Sequence, residues 1–544
     1  MTGKDGGFLI REAREEDVLE ILDIVNTIYG KGYPVTGFFD PQWLKRAIFS
    51  DDNLMLVAVD EDDGRVLGTA SLVLDVGAHS DLVGEMGRLA VRKEARERGI
   101  GNALMERRVE YIRKRLHVGV VENRCAHPFS QRISEKHGFA AVGFLPQKHL
   151  FAERESIALF AQHFGNALAL RKNNPRIVPE AHPLASMALS NCGLPMDAIL
   201  DEDSAAYPRD REFEIEELTA EGLPTLMRIE RGRVRNREIF GPMRLHYGFF
   251  MLEARRANYL IARRPSAGSG PAPIGGAIGF IRDDDEKVVK VFELIAQTDH
   301  AVPILISELL RRCRHEWGIQ YVDVDVSAHA PRMQRTLIEH GLVPAAYVPA
   351  MVFHEVERLD VIKMIGVIGP PDLGHTKLVP SMQSIADLVM RSYRRQAVLP
   401  AVSEAVNRMH LFRGLNTEQR RRVARMCGVT SVKKGELLFA EGETAEAMYI
   451  VIDGTVCITA GDPPRRLGCV EPGASVGEVA LITDEPHSAN ATADEVVRLA
   501  VLSSKALGEL TRQRPDIAVV LYRNMADGLG RKLRGLDESL VHGF

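Results

Sequence analysis

The sequence predicts a multidomain α+β protein in which two mixed-sheet α/β domains precede a β-roll with flanking helices. The chain of 544 residues is long enough for three or four domains. Residues 334–342 repeat the pattern of residues 131–139, which indicates that an early domain is duplicated. From about residue 404, short alternating strands are separated by glycine turns, as is typical of a β-roll.

The predicted domain boundaries follow changes in composition along the chain. The first α/β domain takes residues 1–165 and the second takes residues 211–358. A connector rich in proline, asparagine and aspartate joins them at residues 166–210, with one short helix at 184–190. A linker with a helix at 382–395 spans residues 359–403, and the β-roll domain takes residues 404–544.

The overall composition is that of an ordinary globular protein, with 45% hydrophobic and 26% charged residues. A net charge of -5 gives no support for a nucleic-acid or acidic-lipid partner. The six cysteines are scattered without a C-x-x-C pair, which favours a reduced compartment, and no metal site is predicted. Residues 1–8 are polar and glycine-rich, and no apolar run approaches the ~20 residues of a membrane span. We therefore expect a cytoplasmic protein without a nucleic-acid or membrane partner.

The first domain begins with a predicted strand at residues 8–13 and a helix at 15–29. Four apolar residues share one face of that helix: Val18, Ile21, Leu22 and Val25. A second helix is predicted at 41–49, because Asp40 suits the N-cap and Pro41 the first helical position. Strands follow at 54–59 and 66–74, and the turn between them contains Gly64.

The centre of the first domain is a strand at 86–91, a turn at 96–101 with the sequence R-E-R-G-I-G, and a helix at 102–114. Two glycines in such a turn let the backbone approach a ligand, and the first N–H groups of the helix have no partner within it. With the helix dipole, these groups predict an anion site, and the expected anion is a diphosphate. A strand at 118–121, a helix at 129–136 and a strand at 156–160 complete the predicted order.

This turn resembles the acetyl-CoA signature of the GNAT acetyltransferase superfamily, [Q/R]-x-x-G-x-[G/A], with Arg96, Gly99 and Gly101 at the defined positions. Residues 135–139, E-K-H-G-F, are similar to the E-K-x-G-F of the same family. The resemblance implies a GNAT fold and acetyl-CoA as cofactor, whereas the alternative is an ordinary glycine turn. The implied cofactor-binding residues are Leu89, Val91, Arg96, Arg98, Gly99, Ile100, Gly101, Asn102 and Ala103.

The resemblance also implies a general base at Glu85, on the strand before the turn, in the position that a glutamate takes in histone-type members. A carboxylate facing a cleft can have its pKa raised towards that of a useful base. The alternative is a solvated residue at the end of a strand. Many family members carry a tyrosine that acts as the acid for the leaving thiolate, where this chain has Ser134. Either water or a neighbouring group protonates the thiolate here, or the step needs no acid, or the domain does not catalyse. His127 and His137 are weaker candidates, because single histidines are more often surface or core residues.

The second domain repeats the order of the first, with strands predicted at 213–215, 259–262, 274–281, 288–295 and 321–326. Its loop at 296–303 contains no glycine, Asp299 would repel a phosphate, and Pro303 lacks an N–H. We therefore expect a degenerate GNAT-like domain that does not bind acetyl-CoA, with Glu293 as a structural residue.

The C-terminal domain resembles cyclic-nucleotide-binding domains. The resemblance rests on L-F-R-G-L at residues 411–415, G-E-L-L-F at 435–439 and M-Y-I-V-I-D-G-T-V at 448–456. Residues 477–489, G-E-V-A-L-I-T-D-E-P-H-S-A, resemble the phosphate-binding cassette of that family, although His487 replaces the expected arginine. The implied nucleotide-binding residues are Gly477, Glu478, Val479, Ala480, His487, Ser488 and Ala489. A helix at 516–536 ends the chain without a helix-turn-helix, so we do not expect a DNA-binding regulator of the catabolite-activator type.

Together these resemblances favour an acetyl-CoA-dependent N-acetyltransferase that modifies protein lysine and is regulated by a cyclic nucleotide, with cyclic AMP as the expected effector. The same pairing of domains occurs in cyclic-AMP-regulated protein lysine acetyltransferases. The alternative is a non-catalytic signalling or scaffold protein that binds acyl-CoA, a cyclic nucleotide, or both. Ser134, the glycine-free second loop and His487 favour that alternative.

Overall fold

The computed structural model describes residues 7–33, 36–74, 81–151, 153–209, 212–218, 238–241, 257–265, 272–368, 376–483 and 485–542. The chain forms two compact units, Met1–Ser392 and Tyr393–Phe544. The first unit contains both predicted α/β domains and the connector between them. The second unit contains the β-roll.

The first half of the N-terminal unit follows the predicted order closely. Its strands are β1 (Phe8–Glu12), β2 (Asn53–Asp60), β3 (Val66–Val73), β4 (Val83–Val91), β5 (Val118–Arg124), β6 (Ala140–Leu150) and β7 (Arg154–His163). Its helices are α1 (Val18–Tyr29), α2 (Pro41–Ile48), α3 (Ile100–Arg113) and α4 (Phe129–Lys136). Asp40 caps α2 as expected, because its carboxylate accepts a hydrogen bond from the N–H of Gln42 at 2.9 Å. Val18, Ile21 and Val25 are buried in α1 as expected, Leu22 packs against the same core while only partly buried, and Ile24 is buried in addition.

The connector contains β8 (Arg176–Ile177), α5 (His182–Asn191) and β9 (Ile199–Leu200). The strands of the second half are β10 (Glu214–Glu217), β11 (Ile239–Phe240), β12 (Ala257–Arg263), β13 (Ile274–Asp283), β14 (Val288–Ala296), β15 (Tyr321–Ser327), β16 (Val343–His354) and β17 (Glu357–Val367). Its helices are α6 (Ala301–His315) and α7 (Pro331–Glu339). Helix α8 (Pro380–Arg408) contains the boundary between the two units.

One continuous sheet runs through the N-terminal unit, in the order β1-β2-β3-β4-β5-β7-β6-β16-β17-β15-β14-β13-β12-β10, with β11 paired to β15. The first half reads β1-β2-β3-β4-β5-β7-β6 from its edge to the centre of the sheet. The second half reads β10-β12-β13-β14-β15-β17-β16 in the same direction, so the two orders correspond. The parallel pairs are β4 with β5 and β14 with β15, in corresponding places of the two halves. The two halves therefore share one topology, although the domains were predicted as separate bodies.

The two halves meet where Gly143 of β6 pairs with Ala346 of β16. A Cβ atom at Gly143 would lie 2.0 Å from the Cβ of Ala346, so only glycine allows this approach. Helix α5 packs against both β6 and β16, and the side-chain amide of Asn191 donates to the carbonyl of Ala141 at 2.9 Å. The connector is thus part of the packed unit.

Three sequence expectations are corrected by these elements. Strand β6 was not predicted, because Gly143 and Pro146 interrupt its pattern. The boundary predicted at residue 358 falls inside β17, and residues 359–367 form a central strand where a linker was expected. The helix predicted at 382–395 extends over Pro380–Arg408, so the boundary predicted at 403 falls inside it.

The C-terminal unit is a β-roll of two four-stranded sheets, as predicted. Its strands are β18 (Gly428–Val432), β19 (Leu437–Phe439), β20 (Ala447–Asp453), β21 (Val456–Ala460), β22 (Arg465–Val470), β23 (Ser475–Val476), β24 (Asn490–Ala493) and β25 (Val497–Ser503). Its helices are α9 (Thr417–Met426), α10 (Glu478–Thr483), α11 (Ser504–Gln513) and α12 (Pro515–His542). A core between the sheet and these helices includes Phe412, Met448, Leu502, Ile517 and Leu521.

Candidate functional site

Strand β4 separates from β5 in the middle of the first half. The parallel pairing runs from Val83 with Val118 to Met86 with Val121 and ends there, although β4 continues to Val91. A bulge lies just beyond this point. Between the pairs Ser71–Gly87 and Thr69–Ala90, β4 advances by three residues while β3 advances by two. The result is an opening between β4 and β5 that begins at residue 87.

A buried arginine holds this bulge. The guanidinium of Arg108 on α3 donates to the carbonyls of Ser71 at 3.2 Å and Gly87 at 3.1 Å. The residue is 2% exposed, and burial lowers the pKa of its side chain to about 9. Arg88, within the bulge, has a φ of 57° and donates to the hydroxyl of Ser71 at 3.2 Å. Arg108 was not predicted from the sequence. The feature that could have indicated its role is the presence of a charged residue on the apolar face of α3.

The glycine turn joins β4 to α3 as predicted. Gly99 is the N-cap of α3 with a φ of 81°, a left-handed conformation that favours glycine. No described atom lies within 4 Å of the position that its Cβ would take, so the space beside the turn is open. A Cβ at Gly101 would lie 3.1 Å from Cδ1 of Ile133 and 3.8 Å from Cδ2 of Leu89. Gly101 therefore also serves the close packing of α3 on α4.

The predicted cofactor residues take different positions around this turn. Arg96 and Arg98 are exposed, and Arg98 forms an ion pair with Asp60 at 3.1 Å. Ile100 is buried, so its backbone N–H rather than its side chain is the candidate contact. The predicted residues on the strand and in the first turn of α3 are only partly buried: Leu89, Val91, Gly101, Asn102 and Ala103.

Two of these residues already have partners within the fold. The side-chain carbonyl of Asn102 lies 3.3 Å from Nε2 of His137 at the end of α4. The N–H of Ala103 donates to the carbonyl of Gly99 at 3.1 Å. The donors without a partner in the helix are consequently the N–H groups of the three residues before Ala103, as helix geometry requires.

Glu85 lies on β4 just before the opening. It pairs with Val73 on β3 and Val120 on β5, and its side chain is 28% exposed. One carboxylate oxygen lies 4.0 Å from the guanidinium of Arg88. The carboxylate is therefore partly shielded from water and accessible from the side of the opening.

A group of three aromatic rings lies close to Glu85, and it was not predicted from the sequence. We use the name aromatic wall for Tyr29, Tyr33 and Phe151. The ring centroids of Tyr29 and Tyr33 are 4.6 Å apart, and each ring lies 6.4 Å from that of Phe151. Burial raises the pKa of Tyr33, and the nearby carboxylate of Glu85 adds to the effect.

A cation is fixed against this wall. The guanidinium of Arg124 lies 4.1 Å from the ring centroid of Phe151 and 5.5 Å from that of Tyr29. It donates to the carboxylate of Glu155 at 2.8 Å through Nε. These residues come from α1, the segment after it, β5, the loop after β6 and β7, so neighbouring positions in the sequence could not reveal the group.

Ser134 is fully engaged within the fold. Its hydroxyl accepts a hydrogen bond from the side-chain amide of Asn123 at 2.9 Å and donates to the carbonyl of Ser130 at 3.1 Å. The residue is 1% exposed. It supports the packing of α4 on β5 and has no proton directed at a ligand. His127, the other weak candidate, is exposed in the loop before α4.

The corresponding loop in the second half is filled by protein atoms. Helix α6 begins with the buried residues Ala301, Val302 and Pro303. Asp299 forms an ion pair with Arg332 at 2.9 Å. Glu293 on β14 is 7% exposed and accepts a hydrogen bond from the hydroxyl of Tyr259 at 2.5 Å, which fits the predicted structural role.

In the C-terminal unit, the predicted cassette forms a turn and a short helix. Gly477 has a φ of 86° and precedes α10, in which Glu478 and Ala480 are each 5% exposed. Val479 and Ser488 are exposed and Ala489 is partly buried, whereas Asp484 lies outside the described residues.

His487 turns inwards from the cassette. Its ring stacks on that of Phe439, with centroids 3.7 Å apart and an interplanar angle of 12°. Its backbone carbonyl accepts from the N–H of Gly442 at 2.8 Å, and its N–H donates to the carbonyl of Glu443 at 2.9 Å. Burial lowers the pKa of the imidazole. The fold therefore favours the neutral imidazole, stacked on Phe439.

Within the part of the chain that the structure describes, no helix has the length and apolarity needed to span a membrane. The same residues contain no group of three or more histidine, cysteine or acidic side chains arranged to hold a metal ion.

Comparisons with known families match the regions of both predicted domains. Residues 18–139 match the Acetyltransferase (GNAT) family, and residues 429–514 match the cyclic nucleotide-binding domain. The chain therefore carries a GNAT acetyltransferase domain and a C-terminal cyclic-nucleotide-binding domain, and both resemblances are confirmed. The second half of the sheet falls outside these matches, so its description as a degenerate copy stays a prediction.

Individual relatives cover only parts of the chain. It is 30% identical over 120 residues to a cGMP-dependent protein kinase of Plasmodium berghei, covering 22% of this chain and 13% of the kinase. It is 28% identical over 143 residues to a CRP-like cAMP-activated global transcriptional regulator of Mycobacterium tuberculosis, covering 26% of this chain and 62% of the regulator. A solved cyclic nucleotide-binding domain from Methylobacillus flagellatus has a TM-score of 0.25 at 23% identity, covering 27% of this chain and 85% of that chain. Each curated relative is matched over less than two thirds of its own length.

Proposed function

We propose that this chain is an acetyl-CoA-dependent N-acetyltransferase that acts on lysine side chains of proteins and takes cyclic AMP as effector at its C-terminal domain. The observation that carries the proposal is the opening between β4 and β5. Strand β4 forms one edge of this opening. Glu85 lies on β4 just before the opening, and β4 leads into the Gly99 turn just after it.

The turn is suited to the diphosphate of acetyl-CoA. Three N–H groups at the start of α3 lack partners within the helix, and the helix dipole favours an anion there. The exposed Arg96 adds a positive charge. Beyond residue 86, the unpaired edge of β4 presents backbone donors and acceptors to the amide groups of the pantetheine arm, as an exposed strand edge does for a peptide.

Glu85 is the proposed general base. It accepts a proton from the attacking amine, directly or through water, while the nitrogen bonds to the thioester carbon and the carbon–sulfur bond breaks. Ser134 does not take part, because its hydroxyl is occupied on both sides. The leaving thiolate needs no strong acid, since a thiol has a pKa of only about 8.5.

The aromatic wall supports a lysine side chain as acceptor. A lysine presents four methylene groups that pack on aromatic rings and an ammonium group that carries the charge. Glu85 provides negative charge near the wall, whereas the charges of Arg124 and Glu155 offset each other through their pairing. This arrangement accepts a long, cationic side chain better than a small polar amine.

We further infer that the second half of the sheet is a degenerate GNAT-like domain. The identical strand order supports a common origin. Buried Val302 and Pro303 occupy the start of α6, where the first half offers open space. In this proposal the second half supports the first and binds no acetyl-CoA.

The test measures acetyl transfer to proteins of a cell lysate by the full chain, with and without cyclic AMP. Acetylated lysines are identified by mass spectrometry, and the Glu85→Gln variant is the control. Lysine acetylation that changes with cyclic AMP is the expected result. The alternative, a non-catalytic scaffold favoured by the occupied Ser134, predicts calorimetric binding of acetyl-CoA without turnover for parent and variant alike.

A further inference from the structure

Two cysteines lie directly opposite each other on the β21–β22 hairpin of the C-terminal unit. Cys457 pairs with Cys469 in the antiparallel register, and their sulfur atoms are 4.0 Å apart. Directly opposed residues in antiparallel strands have Cα atoms about 4.5–5.5 Å apart. Disulfides accept Cα separations of about 4.4–6.8 Å. The backbone is thus already placed for a bond, and only the two side chains must rotate.

The surroundings of the pair favour reaction. Cys469 is exposed and Cys457 is partly exposed, so both sulfurs are within reach of small molecules. The guanidinium of Arg466 donates to the sulfur of Cys469. A neighbouring cation stabilises a thiolate, which is the nucleophilic form of cysteine.

Burial and the neighbouring Cys469 raise the pKa of Cys457, and the other four cysteines differ from the pair in the extent of their burial. Cys125, Cys313 and Cys427 are buried, and Cys192 is partly exposed. Burial raises the pKa of Cys192, Cys313 and Cys427 to about 12 and that of Cys125 as well. These thiols are expected to stay protonated and unreactive at neutral pH.

We propose that Cys457 and Cys469 form a reversible intramolecular disulfide by exchange with a low-molecular-weight disulfide such as oxidised glutathione. The Cys469 thiolate attacks one sulfur of that disulfide, forms a mixed disulfide and releases one thiolate. Cys457 then loses its proton and attacks the Cys469 sulfur, which releases the second thiol. The two protein thiols lose two protons and two electrons in total, and the small disulfide takes them up to become two thiols.

The test uses the full chain, reduced and then incubated with mixtures of oxidised and reduced glutathione. Free thiols are blocked, and the protein is digested with trypsin without reduction. Cleavage after Arg465 and after Arg466 puts the two cysteines on separate peptides, so a disulfide joins two peptides of known mass. The expected product is this joined pair within a single chain, with the other four cysteines blocked as free thiols.

Three variants make the result decisive. Cys457→Ser should stop at the mixed disulfide on Cys469, whereas the control Cys192→Ser should still give the joined peptides. Arg466→Gln should slow the first exchange, because it removes the cation that contacts the sulfur of Cys469. Glutathione left on Cys469 of the parent, no modification, or joined peptides only between two chains would overturn the proposal.

Discussion

The imidazole of His487 and the ring of Phe439 form a parallel stack at the predicted effector site, with 3.7 Å between their centroids. This contact explains how a cassette without its usual arginine stays packed. It also bears on binding, since a neutral imidazole has one N–H donor and no charge to set against a phosphate. We therefore expect strong binding through His487 to need the protonated ring, in which both nitrogens donate.

The first prediction concerns this coupling. Because burial lowers the pKa of His487, we expect the affinity for cyclic AMP to rise as the pH falls below the ordinary histidine value of about 6.5. His487→Arg provides a permanent bidentate cation, so it should bind more tightly and independently of pH. Calorimetry between about pH 5.5 and 8 measures both effects. Glu478→Ala, which removes the proposed ribose contact, should bind weakly at every pH. Absence of binding in both the parent and His487→Arg would mean that the cassette is only structural.

The second prediction concerns the base. Glu85→Gln keeps the shape of the side chain and removes its basicity, so acetyl transfer should slow by roughly 10²–10⁴-fold while acetyl-CoA still binds. The matched control is Glu94→Gln, an exposed residue between β4 and α3 that contacts Arg65. Steady-state rates of the two variants, with calorimetry for acetyl-CoA, provide the comparison. Equal rates of Glu85→Gln and Glu94→Gln would mean that Glu85 is only a structural residue of β4.

The third prediction concerns the diphosphate. Gly101→Asp puts a carboxylate at the start of α3, and unit charges 4 Å apart repel by about 1–4 kcal/mol at effective dielectric constants of 80 to 20. Affinity for acetyl-CoA should therefore fall roughly fivefold to a thousandfold. Gly101→Ala adds the same contact with Ile133 without the charge, and it should bind far better. If the two variants bind equally, packing rather than charge explains the loss.

The fourth prediction concerns the buried arginine behind the opening. Arg108→Met leaves the carbonyls of Ser71 and Gly87 without their donor, and each unpaired buried group costs about 1–3 kcal/mol. We expect a lower midpoint of denaturation and weaker binding of acetyl-CoA, because the bulge loses its support. The control Arg107→Met removes an exposed arginine that pairs with nearby Glu110 and should change neither property. A stable Arg108→Met variant with normal affinity would contradict the proposed support.

Features that depend on neighbouring residues could be predicted from the sequence, whereas features that depend on contacts between distant segments could not. The Gly99 turn and the Asp40 cap depend on a few consecutive residues, so the sequence was sufficient to predict them. Strand β6 pairs with β7 along its length and with Ala346 of β16 at Gly143, whereas its own Gly143 and Pro146 argue against a strand. The aromatic wall and the stacking of His487 on Phe439 likewise join distant segments. No local pattern records contacts of this kind.

The last prediction concerns a histidine between the two halves of the sheet. His149 on β6 has Nε2 at 3.0 Å from the carboxylate of Glu122 and Nδ1 at 2.7 Å from that of Glu286. Burial opposes its charge, but the two carboxylates outweigh burial and raise its pKa to about 9. Lys148, which also pairs with Glu122, partly opposes this effect.

A raised pKa means that the folded chain binds a proton more tightly than the unfolded chain. The stabilisation is therefore complete below about pH 6.5 and is lost as the pH rises towards 9. His149→Gln should lower the free energy of unfolding at pH 6 by a few kcal/mol at most, at about 1.4 kcal/mol per pKa unit, and should flatten its decline above pH 6.5. Denaturant titrations at about pH 6, 7.5 and 9 measure this change, with the exposed His315→Gln as control. The same decline in parent and His149→Gln would show that the contact between the halves does not depend on this proton.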